Sequence, residues 1–182
     1  IAENIITGIF LIFISMIQLM DFLFWIDLGN KYGINKIVTI LGPILNVAQP
    51  TILYIIKYLY FKPDIMSLTD GNLPISILNA GYLLYFLYGY VIFLTTDKLI
   101  TGVENKHLKW SWIKYFNPYA YLIMFAINIF YLFNIKYSVV LFSITYFFLF
   151  LSVRYFSYNA GELWCFFGSF IPLIMYYLSF YI

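Results

Sequence analysis

Residues 5–26 read IITGIFLIFISMIQLMDFLFWI, a stretch with a single charged residue, Asp21. A helix needs about 20 mainly apolar residues to cross the hydrocarbon core of a bilayer, and this stretch has that length. Strands of a membrane barrel alternate apolar and polar residues. Here the apolar residues fall on all sides, so the pattern predicts a spanning helix. Working outward, five more segments of this kind follow at 37–60, 73–94, 117–133, 137–153 and 161–182. Turn-forming runs part them, among them Asp27-Leu28-Gly29-Asn30, Lys62-Pro63-Asp64, Thr69-Asp70-Gly71-Asn72 and the short Asn134-Ile135-Lys136. The expected fold is all-α: a polytopic transmembrane helical bundle of six spans, forming a single domain over 1–182.

Composition agrees. Hydrophobic residues make up 64% of the chain, aromatic residues 24% and charged residues only 10%. Soluble domains carry about 25% charged residues, so water alone could not solvate this surface. The lipid bilayer is the expected partner. A net charge of +2 leaves no basic footprint of the kind nucleic acid requires. With one cysteine, Cys165, and one histidine, His107, a multi-thiolate or multi-histidine metal site is not expected. No cofactor, metal site or catalytic set is expected from the motifs either: no phosphate-binding glycine loop, Ser-His-Asp set or Cys-His set is visible.

Basic residues set the expected orientation. The loops 27–36, 95–116 and 154–160 hold Lys31, Lys36, Lys98, Lys106, Lys109, Lys114 and Arg154, against Lys57, Lys62 and Lys136 on the other side. The positive-inside bias places the first set in the cytoplasm. Trp25, Trp110, Trp112 and Trp164 fall at that same boundary, as an interfacial aromatic belt would. The basic 95–116 loop is expected to favour anionic lipid head groups. Both termini then lie outside the cytoplasm, which suggests a seventh helix upstream.

Polar residues at membrane depth are the candidate site, because they are costly there. Gln18, Asp21 and Trp25 share one face of the first helix, with Ser15 a turn deeper. Asn46 and Gln49 flank a kink expected near Asn46, because Pro50 removes a backbone donor. Arg154 and Glu162 are expected to pair across the last turn, joining Gln18 and Asp21 in a cluster. Gly161, Cys165 and Ser169 form a small-residue face suited to close helix approach. In each case the plainer reading is a hydrogen-bonded seam between helices. The sharper one is a titrating or cation-binding site.

Three stretches also resemble a known family. Ser15-Met16-Ile17-Gln18-Leu19-Met20-Asp21-Phe22-Leu23-Phe24-Trp25 is similar to the Met-Gln-Leu-hydrophobic-acid-aromatic-x-x-Trp signature of a poorly characterised family of multi-spanning membrane proteins. That family is encoded by giant (nucleocytoplasmic large) DNA viruses and protists. Gln49-Pro50, Leu163-Trp164-Cys165-Phe166 and Pro172 are similar to its later segments, although Asp21 stands where Glu is expected. The resemblance implies a host endomembrane or a virion internal membrane. It supplies no activity. The leading expectation is therefore a structural or assembly component, as a homo-oligomer or within a larger membrane assembly. The alternative is a small transporter or channel for protons, cations or a small solute, using Gln18, Asp21, Asn46 and Gln49; an enzyme ranks last.

Overall fold

The structure is a computed structural model that describes residues 2–60, 73–104, 106–155, 160–178 and 180. Its helices are α1 (Ala2–Ile26), α2 (Ile34–Asn46), α3 (Gln49–Tyr60), α4 (Leu73–Thr96), α5 (Pro118–Leu132), α6 (Ile135–Tyr155), α7 (Ala160–Gly168) and α8 (Ile171–Leu178). Between α4 and α5 lie two short antiparallel strands, β1 (Gly102–Glu104) and β2 (His107–Lys109), and a 3-10 turn over Ser111–Tyr115.

Among the described residues the regular structure is helical apart from this hairpin. Glu3–Ile26, Pro74–Thr96 and Ile135–Tyr155 are each long and apolar enough to cross a membrane, and α2 with α3 makes a fourth if the bent pair is one span. The remaining two expected spans form shorter helices. α5 has 15 residues, a rise of about 22 Å. The last segment is interrupted between Gly168 and Ile171, where Pro172 has no backbone N–H with which to continue a helix.

α1 is the hub, in contact with α2, α3, α7 and α8. Its inward stripe, Ile6, Phe10, Ile14, Ile17 and Phe24, is buried, while Ile5, Ile12, Leu19 and Phe22 on the other faces are exposed. The spacing of three and four residues is that of one helical face. Exposed apolar residues of this size on every outer face suit lipid as solvent.

The break between α2 and α3 bends the pair by 64°. Pro50 cannot donate to the carbonyl of Asn46, and its ring crowds that carbonyl. Val47 and Ala48 instead both donate to Pro43 O, at 2.7 and 3.3 Å.

α5 lines only the first half of α4. The backbone N–H of Asn117 donates to Tyr85 Oη at 2.6 Å, Met124 packs with Tyr82, and Asn128 bonds to Asn79. The second half of α4 meets irregular chain instead. Phe86 stacks on Phe116 at 5.8 Å, Phe93 meets Tyr115 edge-on at 5.6 Å, and Thr96 Oγ1 donates to Tyr115 Oη at 3.1 Å. The Tyr115 carbonyl lies against Gly89, about 10 Å of helical rise back from Thr96, so the segment 110–117 dips about that far along the bundle before α5 begins. The 95–116 loop of the sequence reading is thus a folded cap with a re-entrant second half. Apolar side chains carry it there: Trp110, Trp112 and Phe116 are all buried.

Candidate functional site

The polar residues gather at two levels of the bundle. The upper level lies under the hairpin. Trp110 Nε1 donates to Asp21 Oδ1 at 3.1 Å, and the Trp110 ring stacks on Trp112 at 5.2 Å between centroids. Trp112 in turn stacks against Phe24 and covers Gly42, where an added Cβ would fall within its ring. The absence of a side chain at Gly42 is what lets the tryptophan in.

Beside this stack, the turn after α1 is clamped to the start of the hairpin. Asp27 is buried, and its carboxylate accepts from the backbone N–H groups of Tyr32 at 3.1 Å, Ile34 at 2.8 Å and Asn35 at 3.4 Å. These include the first N–H groups of α2, which have no partner within the helix. Burial pushes the Asp27 carboxyl up, but the N–H groups of Tyr32, Ile34, Asn35 and Lys31 outweigh it and hold the carboxyl below its ordinary range. Asn35 Nδ2 donates to Thr101 O at 2.9 Å, and Thr101 N returns a bond to Asn35 Oδ1 at 2.9 Å. Thr39 Oγ1 lies 3.0 Å from Thr101 Oγ1. Asn35, Thr39 and Thr101 are fully buried.

The lower level surrounds the α2–α3 break. Tyr121 Oη donates to Gln49 Oε1, while Gln49 Nε2 donates to Leu45 O at 2.9 Å. Tyr82 Oη donates to Val47 O at 2.8 Å. Asn128 Nδ2 donates to Pro50 O at 2.7 Å and to Asn79 Oδ1 at 3.0 Å. Leu45 O and Val47 O, at the end of α2, are thereby capped by Gln49 and by α4, and α5 reaches Pro50 O in the first turn of α3. Alongside runs a narrow cavity of about 20 Å³ lined by Thr7, Phe10, Ile14, Gln49, Trp164 and Cys165 among others, room for about one water.

Of the expected site residues, Gln49 and Asp21 lie at different levels. Gln49 shares the cavity with α1 residues up to Ile14, and Asp21 lies a rise of about 10 Å further along α1. Gln18, Asp21 and Asn46 are half-buried. Arg154 is exposed, its guanidinium 5.7 Å from the Tyr155 ring. The side chain of Glu162 lies outside the described residues, and with it the expected Arg154–Glu162 pair. Of the expected tryptophan belt, Trp25 is exposed while Trp110, Trp112 and Trp164 are buried in protein. Trp164 Nε1 donates to Thr145 O at 3.3 Å, and its ring meets Phe125 and Tyr121 edge-on.

Sequence reasoning passed over Asn35, Thr39, Asn79, Thr101 and Asn128. Their one signal was a small polar residue inside an apolar helix, as at Asn79 and Asn128, or at its edge. Among the described residues no group of His, Cys, Asp or Glu could hold a metal ion.

A hydrogen-bonded bundle of apolar helices, several of membrane-spanning length, is the class these features define. Comparison with protein-family models, curated proteins and solved structures finds no match.

Proposed function

We propose that this chain is a multi-pass integral membrane protein whose role is structural, as an assembly component of a viral or host-derived membrane. The reading takes six crossings: α1, α2 with α3, α4, the re-entrant segment with α5, α6, and α7 with α8. Connectivity supports the count. Glu3 at the start of α1 accepts from Asn134 in the α5–α6 turn at 2.9 Å, whereas the end of α1 and the end of α4 meet through Leu28, Asn35 and Thr101. The start of α1 and the α5–α6 turn therefore lie at one face, and the ends of α1 and α4 at the other. The face bearing Lys31, Lys36, Lys98 and Lys106 is the cytoplasmic one.

The observation that carries the structural reading is the use made of the polar groups at the α2–α3 break. Gln49, Tyr82, Tyr121 and Asn128 all bond across to neighbouring helices or to broken-helix carbonyls. Backbone freed at membrane depth needs such partners, and supplying them calls for no ligand. The second reading, transport of protons, cations or a small solute, is favoured by the two interrupted helices, since such breaks frame ion and substrate sites in transporters.

Purified protein in liposomes separates the two. Proton and cation flux is expected to match protein-free liposomes in wild type and in Asp21→Asn, while Asp21→Leu, which removes the acceptor of Trp110 Nε1, lowers the melting temperature. Flux in wild type that Asp21→Asn abolishes would overturn the structural role in favour of transport.

A further inference from the structure

Four lysines distant in sequence share one rim of the bundle. The turn 27–35 is rigid: Asn30 and Gly33 adopt positive φ, Lys36 N donates to Asn30 Oδ1 at 3.0 Å, and Asp27 gathers three N–H groups. Lys31 and Lys36 thus project from a fixed frame. The Asn35–Thr39–Thr101 clamp binds that frame to the start of the hairpin, which carries Lys98 on one side and Lys106 at its tip.

All four lysines are exposed. Among the described residues, the acids next to these lysines in the chain are engaged elsewhere. Asp97 pairs with Lys114 at 3.0 Å, Glu104 pairs with Lys109, and Asp27 is buried against backbone N–H groups. Beside the lysines, Ile100 and Val103 are 43% and 41% exposed. Leu108, opposite Val103 in the strand pair, is buried in the core and anchors the hairpin. Cations above exposed aliphatic side chains, at the end of apolar helices, suit a level where head groups meet acyl chains.

We infer that Lys31, Lys36, Lys98 and Lys106, organised by the Thr101 clamp, form a binding surface for the anionic lipids of the protein's own membrane leaflet, with Ile100 and Val103 seated among the acyl chains. The inference rests on the membrane-crossing reading. Retention of the protein in carbonate-washed liposomes tests that reading without reference to lipid charge, so the two failures are distinguishable.

The experiment is lipid selectivity by electron paramagnetic resonance: full-length protein in phosphatidylcholine vesicles, with spin-labelled phosphatidylserine compared against spin-labelled phosphatidylcholine. Wild type is expected to prefer phosphatidylserine by about fivefold, the order of effect one lysine contributes near an anionic surface. The preference falls in high salt. The combined variant Lys31→Gln, Lys36→Gln, Lys98→Gln, Lys106→Gln is expected to lose it, while Lys57→Gln with Lys136→Gln at the opposite end retains it. Asn35→Ala, which keeps every charge but removes the side-chain bonds to the Thr101 backbone, is expected to lower the preference. Equal association of the two lipids with wild type, or an undiminished preference in the fourfold variant, would overturn the inference. So would an unchanged preference in Asn35→Ala, which would point to unorganised attraction.

Discussion

Asn79 of α4 and Asn128 of α5 face each other with both amides engaged, each Nδ2 donating to the other's Oδ1, at 2.9 and 3.0 Å. Both side chains are buried, and Asn128 also donates to Pro50 O beyond the break. One pair thus joins α4, α5 and the start of α3. Replacing Asn128 by Leu leaves Asn79 Oδ1 without its donor, although Asn79 Nδ2 keeps its bond to Ile75 O, at a cost of about 1–3 kcal/mol. Asn79→Leu with Asn128→Leu is expected to cost less than the sum of the single changes, because no amide is then left unpaired. Unfolding in mixed micelles measures this; additive losses would contradict it.

Gly42 is the second sensitive point. A methyl group there would enter the Trp112 ring, and overpacking of this kind costs about 1–3 kcal/mol. Gly42→Ala should lower the melting temperature and shift tryptophan emission as the Trp110–Trp112 stack moves. In a Trp112→Phe background the same change should be much milder. An equal cost in both backgrounds would show that the ring is not what excludes the methyl group.

The Tyr121–Gln49 contact predicts a smaller effect. Tyr121→Phe removes the donor to Gln49 Oε1 while keeping the ring on Phe125 and Trp164. A side-chain bond between membrane helices contributes about 0.6 kcal/mol on average, so a modest loss is expected. Once Gln49 is changed to Leu, the tyrosine substitution should have almost no further effect. A full additional loss in the double variant would refute the pairing.

The Asp97–Lys114 pair on the cap predicts a pH profile. Burial raises the Asp97 carboxyl, but Lys114, the Leu99 N–H and the Tyr115 hydroxyl hold it below the carboxylate range overall. Asp97 in turn holds the Lys114 ammonium above its ordinary value. A lowered acid stabilises the fold above its unfolded pKa, about 3.9, and loses that contribution as pH falls through its folded value. A raised lysine contributes below about 10.4 and loses its share as pH rises through the folded value. Wild type should therefore exceed Asp97→Asn in melting temperature near neutral pH, with the gap closing toward acid and at strongly alkaline pH. A gap constant with pH would remove the ion pair as its source.

Several parts of this architecture were legible in the chain. Pro50 foretold the α2–α3 break, because a missing N–H is a local property. The expected segment 117–133 begins where α5 does, and Asn117 Oδ1 accepts from Tyr119 N at 2.8 Å. The re-entrant segment 110–117 was not legible. Its charge and tryptophans suit an interfacial loop equally well, and only the space left by Gly42 and Gly89 admits Trp112 and Phe116 into the bundle. The separation of Asp21 from Gln49 also could not be read, since position along a helix says nothing of which neighbour lies at which depth.

By itself, then, the sequence determined a helical chain with apolar segments long enough to cross a bilayer, because length and hydropathy act residue by residue. Tertiary structure decided which polar groups meet. Asp21 took Trp110, Asn35 took Thr101, and Gln49 took Tyr121, partners 89, 66 and 72 positions apart. Contacts at such separations depend on the space between packed helices, and small residues such as Gly42 set that space only once the helices have docked.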